Sequence, residues 1–311
     1  MGATRRTALK LAGGSLAGLA LTACGPDFGP VPLAITSGSP GAVYNQLALA
    51  LAGTWTDQLK IERPAVQLSA GSGQNVTRLL EERADVGFVA ADEAVARAAS
   101  PLRALSRMHF DYVHVVTSSN SGLATVADLR GCRVSVGSEE SGVDLVARRV
   151  LEGAGLDADR DVDAQRLSID QSIDALARGS LDALFWSGGL PTGQISALLR
   201  GGAARLVPLG DVASGVVDRY PEYEPGEIPA YTYTNPDAVP TLLVPNFLMA
   251  TTRMPNDVAA ALTRAVFDGR SALIAASPAA WAIDSRSGAD TAPVPLHEGA
   301  KSYFRSIGRE L

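Results

Sequence analysis

From residue 31 onward, short apolar runs alternate with stretches whose apolar residues recur at helical spacing, and Gly- and Ser-rich loops punctuate them. Residues 31–36 predict a strand, 37–41 a loop and 43–55 a helix, and 65–68, 69–74 and 75–83 repeat that order. Residues 86–90 predict a third strand leading into a short helix at 93–99. Two further strands are expected at 102–108 and 112–117, the second apolar enough to be buried on both faces. The order recurs as strand 133–136, loop 137–142 and helix 143–154, and again as 183–186, 187–191 and 192–200. Between them, Ser168-Ile169-Asp170-Gln171 has the Ser-x-x-Gln spacing of a capping box, opening a helix that ends near Arg178-Gly179.

Strands alternating with helices of this length imply an α/β protein with largely parallel sheets. A Pro-rich stretch at 220–240 interrupts the pattern, after which 241–252 returns to strand-like composition and 256–275 to helix. That break suits a chain crossing back to a first domain.

The first residues follow neither pattern. Thr4-Arg5-Arg6-Thr7-Ala8-Leu9-Lys10 precedes an apolar stretch at 11–23 and then Leu21-Thr22-Ala23-Cys24-Gly25. A basic start, a short apolar middle and small residues before a cut site make a signal peptide, and the run is too short for a membrane-spanning helix. Leu21-Thr22-Ala23-Cys24 resembles a bacterial lipobox, in which the cysteine is lipidated and becomes the new N-terminus. Arg5-Arg6 followed by Leu9 and Lys10 resembles a twin-arginine export signal, with Ala8 where that signal has Phe; the pair also serves as the positive start of a general secretory leader. Residues 25–32 then read as a Gly- and Pro-rich tether. The expected location is extracytoplasmic, lipid-anchored through Cys24 to the outer face of the cell membrane.

Residues 1–23 hold three basic and no acidic side chains, so the remainder carries 24 Lys and Arg against 33 Asp and Glu, a net charge near −9. That argues against a nucleic-acid partner. Cys24 and Cys132 are the only cysteines, and lipidation of the first leaves no intrachain disulfide. A body of about 290 residues is long enough for two domains with separate cores.

Four predicted strands end in small polar loops that open helices: Ser37-Gly38-Ser39-Pro40-Gly41, Ser69-Ala70-Gly71-Ser72-Gly73-Gln74-Asn75, Gly137-Ser138-Glu139-Glu140-Ser141-Gly142 and Ser187-Gly188-Gly189-Leu190-Pro191-Thr192. In open α/β sheets ligands bind at the carboxyl ends of strands, glycine lets backbone approach closely, and helix starts favour anions. Each such loop taken singly is also ordinary turn and capping chemistry. The three histidines, His109, His114 and His297, sit in no recognised catalytic motif; His109 and His114 flank a strand expected to be buried and suit packing or surface roles. No His/Cys cluster has metal spacing, no P-loop or GxGxxG motif is present, and neither metal, cofactor nor enzymatic activity is expected.

Several segments together resemble the TAXI (TRAP-associated extracytoplasmic immunogenic) family, the solute receptors of TRAP transporters. They are Thr36-Ser37-Gly38-Ser39-Pro40-Gly41-Ala42-Val43-Tyr44; Gly73-Gln74-Asn75 with Leu79-Leu80; Ala84-Asp85-Val86-Gly87 and Asp92; the run from Ala127-Asp128-Leu129 to Val136-Gly137; Leu181-Asp182-Ala183-Leu184-Phe185 with Gly188-Gly189-Leu190-Pro191; and Pro295-Leu296-His297-Glu298-Gly299 through Phe304. The resemblance spans nearly the whole chain after the leader, in order. It departs at Ala42, at Gly73-Gln74, and at Glu139 and Glu140, two carboxylates that would repel an anion if inward or meet an ammonium.

The resemblance implies a two-lobed periplasmic-binding-protein-like fold of type II, with parallel or mixed sheets flanked by helices and a ligand cleft between the lobes. Lobe 1 would comprise 33–117 and 236–311, and lobe 2 118–235. It implies capture of a small organic anion or amino acid, glutamate-like or a related carboxylate, for delivery to the membrane subunits of a TRAP permease. Ser37, Gly38, Ser39, Val43, Tyr44, Ser72, Asn75 and Asp92 would line the first wall, and Ser138, Ser141, Gly142, Val143, Trp186 and Gly189 the second. Tyr44 and Trp186 also fit core aromatics. A sensor domain feeding a signalling partner, or an extracellular enzyme, is a further reading of the same fold.

Overall fold

The computed structural model describes residue 28 and residues 32–139 and 141–311; the leader, Cys24, most of the tether and Glu140 lie outside the described residues. The first part of the chain runs β1 (Ala34–Thr36), α1 (Val43–Leu59), β2 (Ala65–Gln67), α2 (Ser72–Leu80), β3 (Val86–Ala90), α3 (Ala91–Val95) and β4 (Leu102–Ser118). The middle runs β5 (Arg133–Ser135), α4 (Gly142–Gly153), β6 (Asp163–Gln165), α5 (Ile169–Ala177), β7 (Ala183–Gly188), α6 (Gly193–Arg200), β8 (Ala204–Leu206), α7 (Gly210–Arg219) and β9 (Glu224–Ile228). The last part is β10 (Val239–Thr251), α8 (Asn256–Asp268), α9 (Arg270–Ala276) and α10 (Glu298–Ser306).

The strands form one mixed sheet in the order β2-β1-β3-β10-β4-β7-β5-β6, with β8 on β4 and β9 on β10. β1 is parallel to β2 and β3, and β5 is parallel to β6 and β7. Between these parallel sets lies the antiparallel pair β4 and β10. The strand β3, Val-Gly-Phe-Val-Ala, is buried throughout, as its unbroken apolar run requires.

Two strands expected at 102–108 and 112–117 are one. His109-Phe110-Asp111 contains no turn residue, and β10 pairs with β4 continuously past it, from Leu102↔Thr251 to Tyr112↔Leu243. Register shifts at Asn246/Phe247 and Leu248/Met249 let the long ribbon bend without ending. The helix expected at 256–275 is instead two, because Gly269 interrupts it where a side chain would overlap the Thr54 methyl. The capping box at Ser168 forms as the spacing predicts: Gln171 N–H donates to Ser168 Oγ at 3.3 Å and Ser168 N–H donates to Gln171 Oε1 at 3.0 Å.

Burial separates the halves. One core gathers Ile35, Leu47, Trp55, Phe88 and Met108 from the front of the chain with Phe247, Leu262 and Phe304 from its end. A second takes Val113, Val134, Val146, Phe185, Tyr223 and Leu242, and a third, beneath α5 and α6, takes Val116, Leu184 and Leu199. The change from the first core to the second falls inside β4, between Met108 and Val113, and inside β10, between Val244 and Phe247. Two lobes therefore share a continuous sheet, joined through its two longest strands. Among the described residues no helix is long and apolar enough to cross a membrane.

Candidate functional site

The carboxyl ends of β1 and β3 are tied together by one side chain. Asn75, fully buried, donates to Ser37 O at 2.6 Å and Phe88 O at 2.8 Å, and accepts from Thr36 Oγ1 at 2.6 Å. Ser37 Oγ donates to Gln67 O at 2.8 Å, and Ser69 Oγ donates to Ser37 O at 3.0 Å. Asn75 and Ser37 are thus committed to the frame, while Ser39 is exposed. Ser72, at the start of α2, accepts from Ala90 N–H at 3.0 Å and lies 3.2 Å from the Tyr44 hydroxyl, which donates to Asn246. Tyr44 also stacks on Phe88, their centroids 5.2 Å apart.

The second lobe presents its loops directly opposite. Ser141 stands at the N-cap position of α4 in extended backbone geometry, but its hydroxyl donates to Ser138 O at 2.6 Å and not to the helix start. Gly137, at φ +91°, leaves no room for a Cβ, which would fall 2.5 Å from that of Val143. Gly71, at φ +134°, comes so close to the other lobe that a Cβ there would sit 3.9 Å from Ser141 Cα, and one on Gly142 would lie 3.8 Å from Ser72 Oγ. A Cβ on Gly189 would be 3.0 Å from the Val43 side chain. The 69–75 and 137–142 loops therefore meet, with the amino ends of α2 and α4 against each other; the 37–41 loop joins them through Ser37 and Ser69, and the 187–192 loop packs on the start of α1. Helix starts leave N–H groups without intrahelical partners, so this junction is positive in character.

Residues 35–308 match the model of the NMT1-like family. The chain belongs to the NMT1-like family. Its fold is similar to that of a Bordetella bronchiseptica RB50 protein (18% identity, covering 90% of this chain and 99% of that one, TM-score 0.58). It is also similar to PhnD1 of Prochlorococcus marinus MIT 9301, solved in complex with methylphosphonate (14%, 81% and 92%, TM-score 0.55). The periplasmic aliphatic sulphonate binding protein SsuA of Escherichia coli matches at 17% identity over 89% of this chain and 79% of its own, with TM-score 0.49. The fold is what this chain shares with the first two.

In this NMT1-like chain Trp186 is half-buried against the second and third cores. Its Nε1 donates to Thr192 Oγ1 at 3.1 Å, and Thr192 Oγ1 donates to Gly189 O at 2.8 Å, so the ring holds the 187–192 loop in place. Glu139 is exposed. Asp92 is 1% exposed and sits between the lobes, accepting from Tyr223 Oη at 2.9 Å and from Glu93 N–H at 2.8 Å. Burial pushes its carboxyl up to about 7, with Glu93 adding to the rise and Arg149 and the Tyr223 bond opposing it. Arg149 donates to Glu222 at 2.5 Å and to Tyr223 Oη at 3.1 Å. Glu93 is paired with Arg97.

Sequence reasoning missed His109, Asp111, Asn246 and Tyr223. His109 on β4 faces Asn246 on β10, meets the Tyr44 ring edge-on at 5.8 Å, and has Asp111 Oδ1 3.3 Å from Nε2. The signal was present: polar residues inside otherwise apolar strands, as in Val244-Pro245-Asn246-Phe247, seldom stand without a purpose. Burial raises the Tyr44 hydroxyl well above its ordinary range, and the negative charge of Asp111, then Asp92 and Glu93, raises it further. Among the described residues no group of three or more His, Cys, Asp or Glu is placed to hold a metal ion.

Proposed function

We propose that this protein is an extracytoplasmic solute receptor that closes two lobes on a small organic anion or amino acid and hands it to a TRAP-type permease. The observation that carries this reading is the meeting of the α2 and α4 amino ends across the lobes, at Gly71–Ser141 and Ser72–Gly142. Two positive helix ends brought together repel unless an anion lies between them, and each contributes about 0.3–1 kcal/mol toward one, more when partly buried. Closure then favours the loaded state over the empty one, as a receptor requires.

Membership of the NMT1-like family and the shared binding-protein fold support a receptor. The TAXI-like segments quoted above support the TRAP system as its partner. Ser39, Tyr44, Ser72, Gly142, Val143 and Gly189 line the cleft in this reading, and a lipid on Cys24 keeps the receptor beside its permease after export directed by Arg5 and Arg6.

Thermal-shift screening of the folded chain against amino acids, dicarboxylates, sulfonates and phosphonates tests the proposal. A true ligand at about 100 times its Kd adds about 2.7 kcal/mol, or about 5–10 °C in Tm. No stabilisation by any class overturns it. For the anchor, Cys24→Ser is expected to release a folded, ligand-competent protein that no longer supports uptake at low substrate; unchanged uptake would show that anchoring is dispensable.

A further inference from the structure

His109 and His114 lie on one strand, five positions apart, and each is 1% exposed. Both nitrogens of His114 have partners: Nδ1 lies 2.8 Å from Tyr112 O and Nε2 lies 2.9 Å from Tyr233 Oη. Among the described residues neither nitrogen of His109 has one, since the Asp111 carboxylate 3.3 Å from Nε2 stands outside hydrogen-bond geometry. Folded proteins rarely leave buried polar atoms unpaired; among the described residues Trp55 Nε1, His297 Nε2 and Arg309 Nε are others, but His109 has two such atoms and lies against Tyr44.

The position of His109 indicates what its missing partner is. Its ring edge meets Tyr44, whose hydroxyl reaches Ser72 and Asn246, and Ser72 stands at the junction of α2 with Gly142 of α4. His109 is thus one aromatic ring removed from the start of α2, with Tyr44 between them, and the carboxylates gather at the His109 end of that ring. That end is negative: Asp111 adjoins it, and Asp92 and Glu93 act on the same Tyr44 hydroxyl. The nearby cations are engaged, Arg97 with Glu93 and Arg149 with Glu222. A carboxylate beside Nε2 favours the proton there and leaves Nδ1 as an acceptor.

We infer that His109 and Asp111 form a specificity-determining pair that takes an N–H donor from the bound solute, so that the cleft selects a zwitterion with an ammonium beside this pair and a carboxylate at the helix starts. This rests on the receptor reading above and narrows it. A dicarboxylate, sulfonate or phosphonate has no donor for Nδ1 and meets the charge of Asp111 instead.

The test is calorimetric titration of the folded protein with the twenty amino acids, with the des-amino counterpart of each amino acid that binds, and with succinate, glutarate, methylphosphonate and ethanesulfonate. The wild type is expected to bind at least one amino acid and to bind its des-amino counterpart about 10- to 100-fold more weakly, the range set by one charge-assisted hydrogen bond. His109→Leu and Asp111→Asn, checked for folding by circular dichroism, are expected to narrow that ratio by about 10-fold. Binding of anions alone overturns this inference and leaves the receptor reading intact. An amino acid bound with the same discrimination in both folded variants also overturns it. Binding by none of the panel overturns both.

Discussion

The Tyr223 hydroxyl, rooted in the second core, donates to Asp92 of the first lobe at 2.9 Å. The bond is buried at both ends and joins the lobes beside the cleft. Asp92 reaches it at a cost, because its carboxyl is held protonated to about pH 7 by desolvation.

Asp92→Asn is therefore expected to stabilise the fold at neutral pH. The folded-state pKa is raised from 3.8 to about 7, so the native state binds the extra proton and the wild type loses stability as pH rises through that window. The amide keeps an acceptor for Tyr223 without ionising. Tm measured from pH 4 to pH 8 should show a variant advantage that grows with pH; an advantage independent of pH would contradict the assignment.

Tyr223→Phe removes the inter-lobe bond and leaves Asp92 with one fewer partner. The expected loss is about 1–2 kcal/mol, divided between stability and lobe closure. Small-angle scattering should report a larger radius of gyration for the variant than for the wild type, and an unchanged radius would show that this bond does not hold the lobes together.

His114 works in the opposite direction. Burial lowers its pKa from 6.5 to about 4, so the unfolded chain takes the proton first and stability falls as pH drops from 6.5 toward 4, by about 3 kcal/mol in all. His114→Gln should flatten that part of the pH–stability curve measured by urea unfolding. An equally steep acid limb in the variant would place its cause elsewhere.

Gly137→Ala combines a left-handed backbone with a collision against Val143, and should cost about 2–4 kcal/mol and displace the start of α4. Gly155→Ala shares the positive φ, +72°, but meets open space, so about 1 kcal/mol is expected. Equal losses in urea unfolding would argue that the crowding at Gly137 is relieved by local movement.

Much of this arrangement is readable in the sequence where chemistry is local. Glycine and serine after each apolar run marked the four loops, and the Ser168 to Gln171 spacing marked a cap whose two bonds form. Three-residue strands such as Asp163–Gln165 and Ala204–Leu206 are too short to carry a period, and they went unpredicted, as did the helix Gly210–Arg219. Asn75 stood out as a polar residue in a loop, but only three dimensions reveal that its carboxamide faces backbone. Asp92 and Tyr223 are far apart along the chain, and no local pattern announces such a pair. His109 was legible as a polar residue flanking a buried strand, not as one inside a strand with its ring nitrogens unpaired among the described residues.

The place of β10 in the sheet has a consequence for how the protein assembles. It lies between β3 and β4, yet it is made only after the entire second lobe. Until then the first lobe has a gap in the middle of its sheet, with the apolar edge of β3 and the long edge of β4 waiting for a distant strand to fill it. Contacts of such long sequence separation are slow to form and leave sticky edges open meanwhile. The second lobe, whose parallel strands β5, β6 and β7 are contiguous in the chain, can organise early; the first is completed by a late insertion, and a chain cut short before Thr251 loses that keystone.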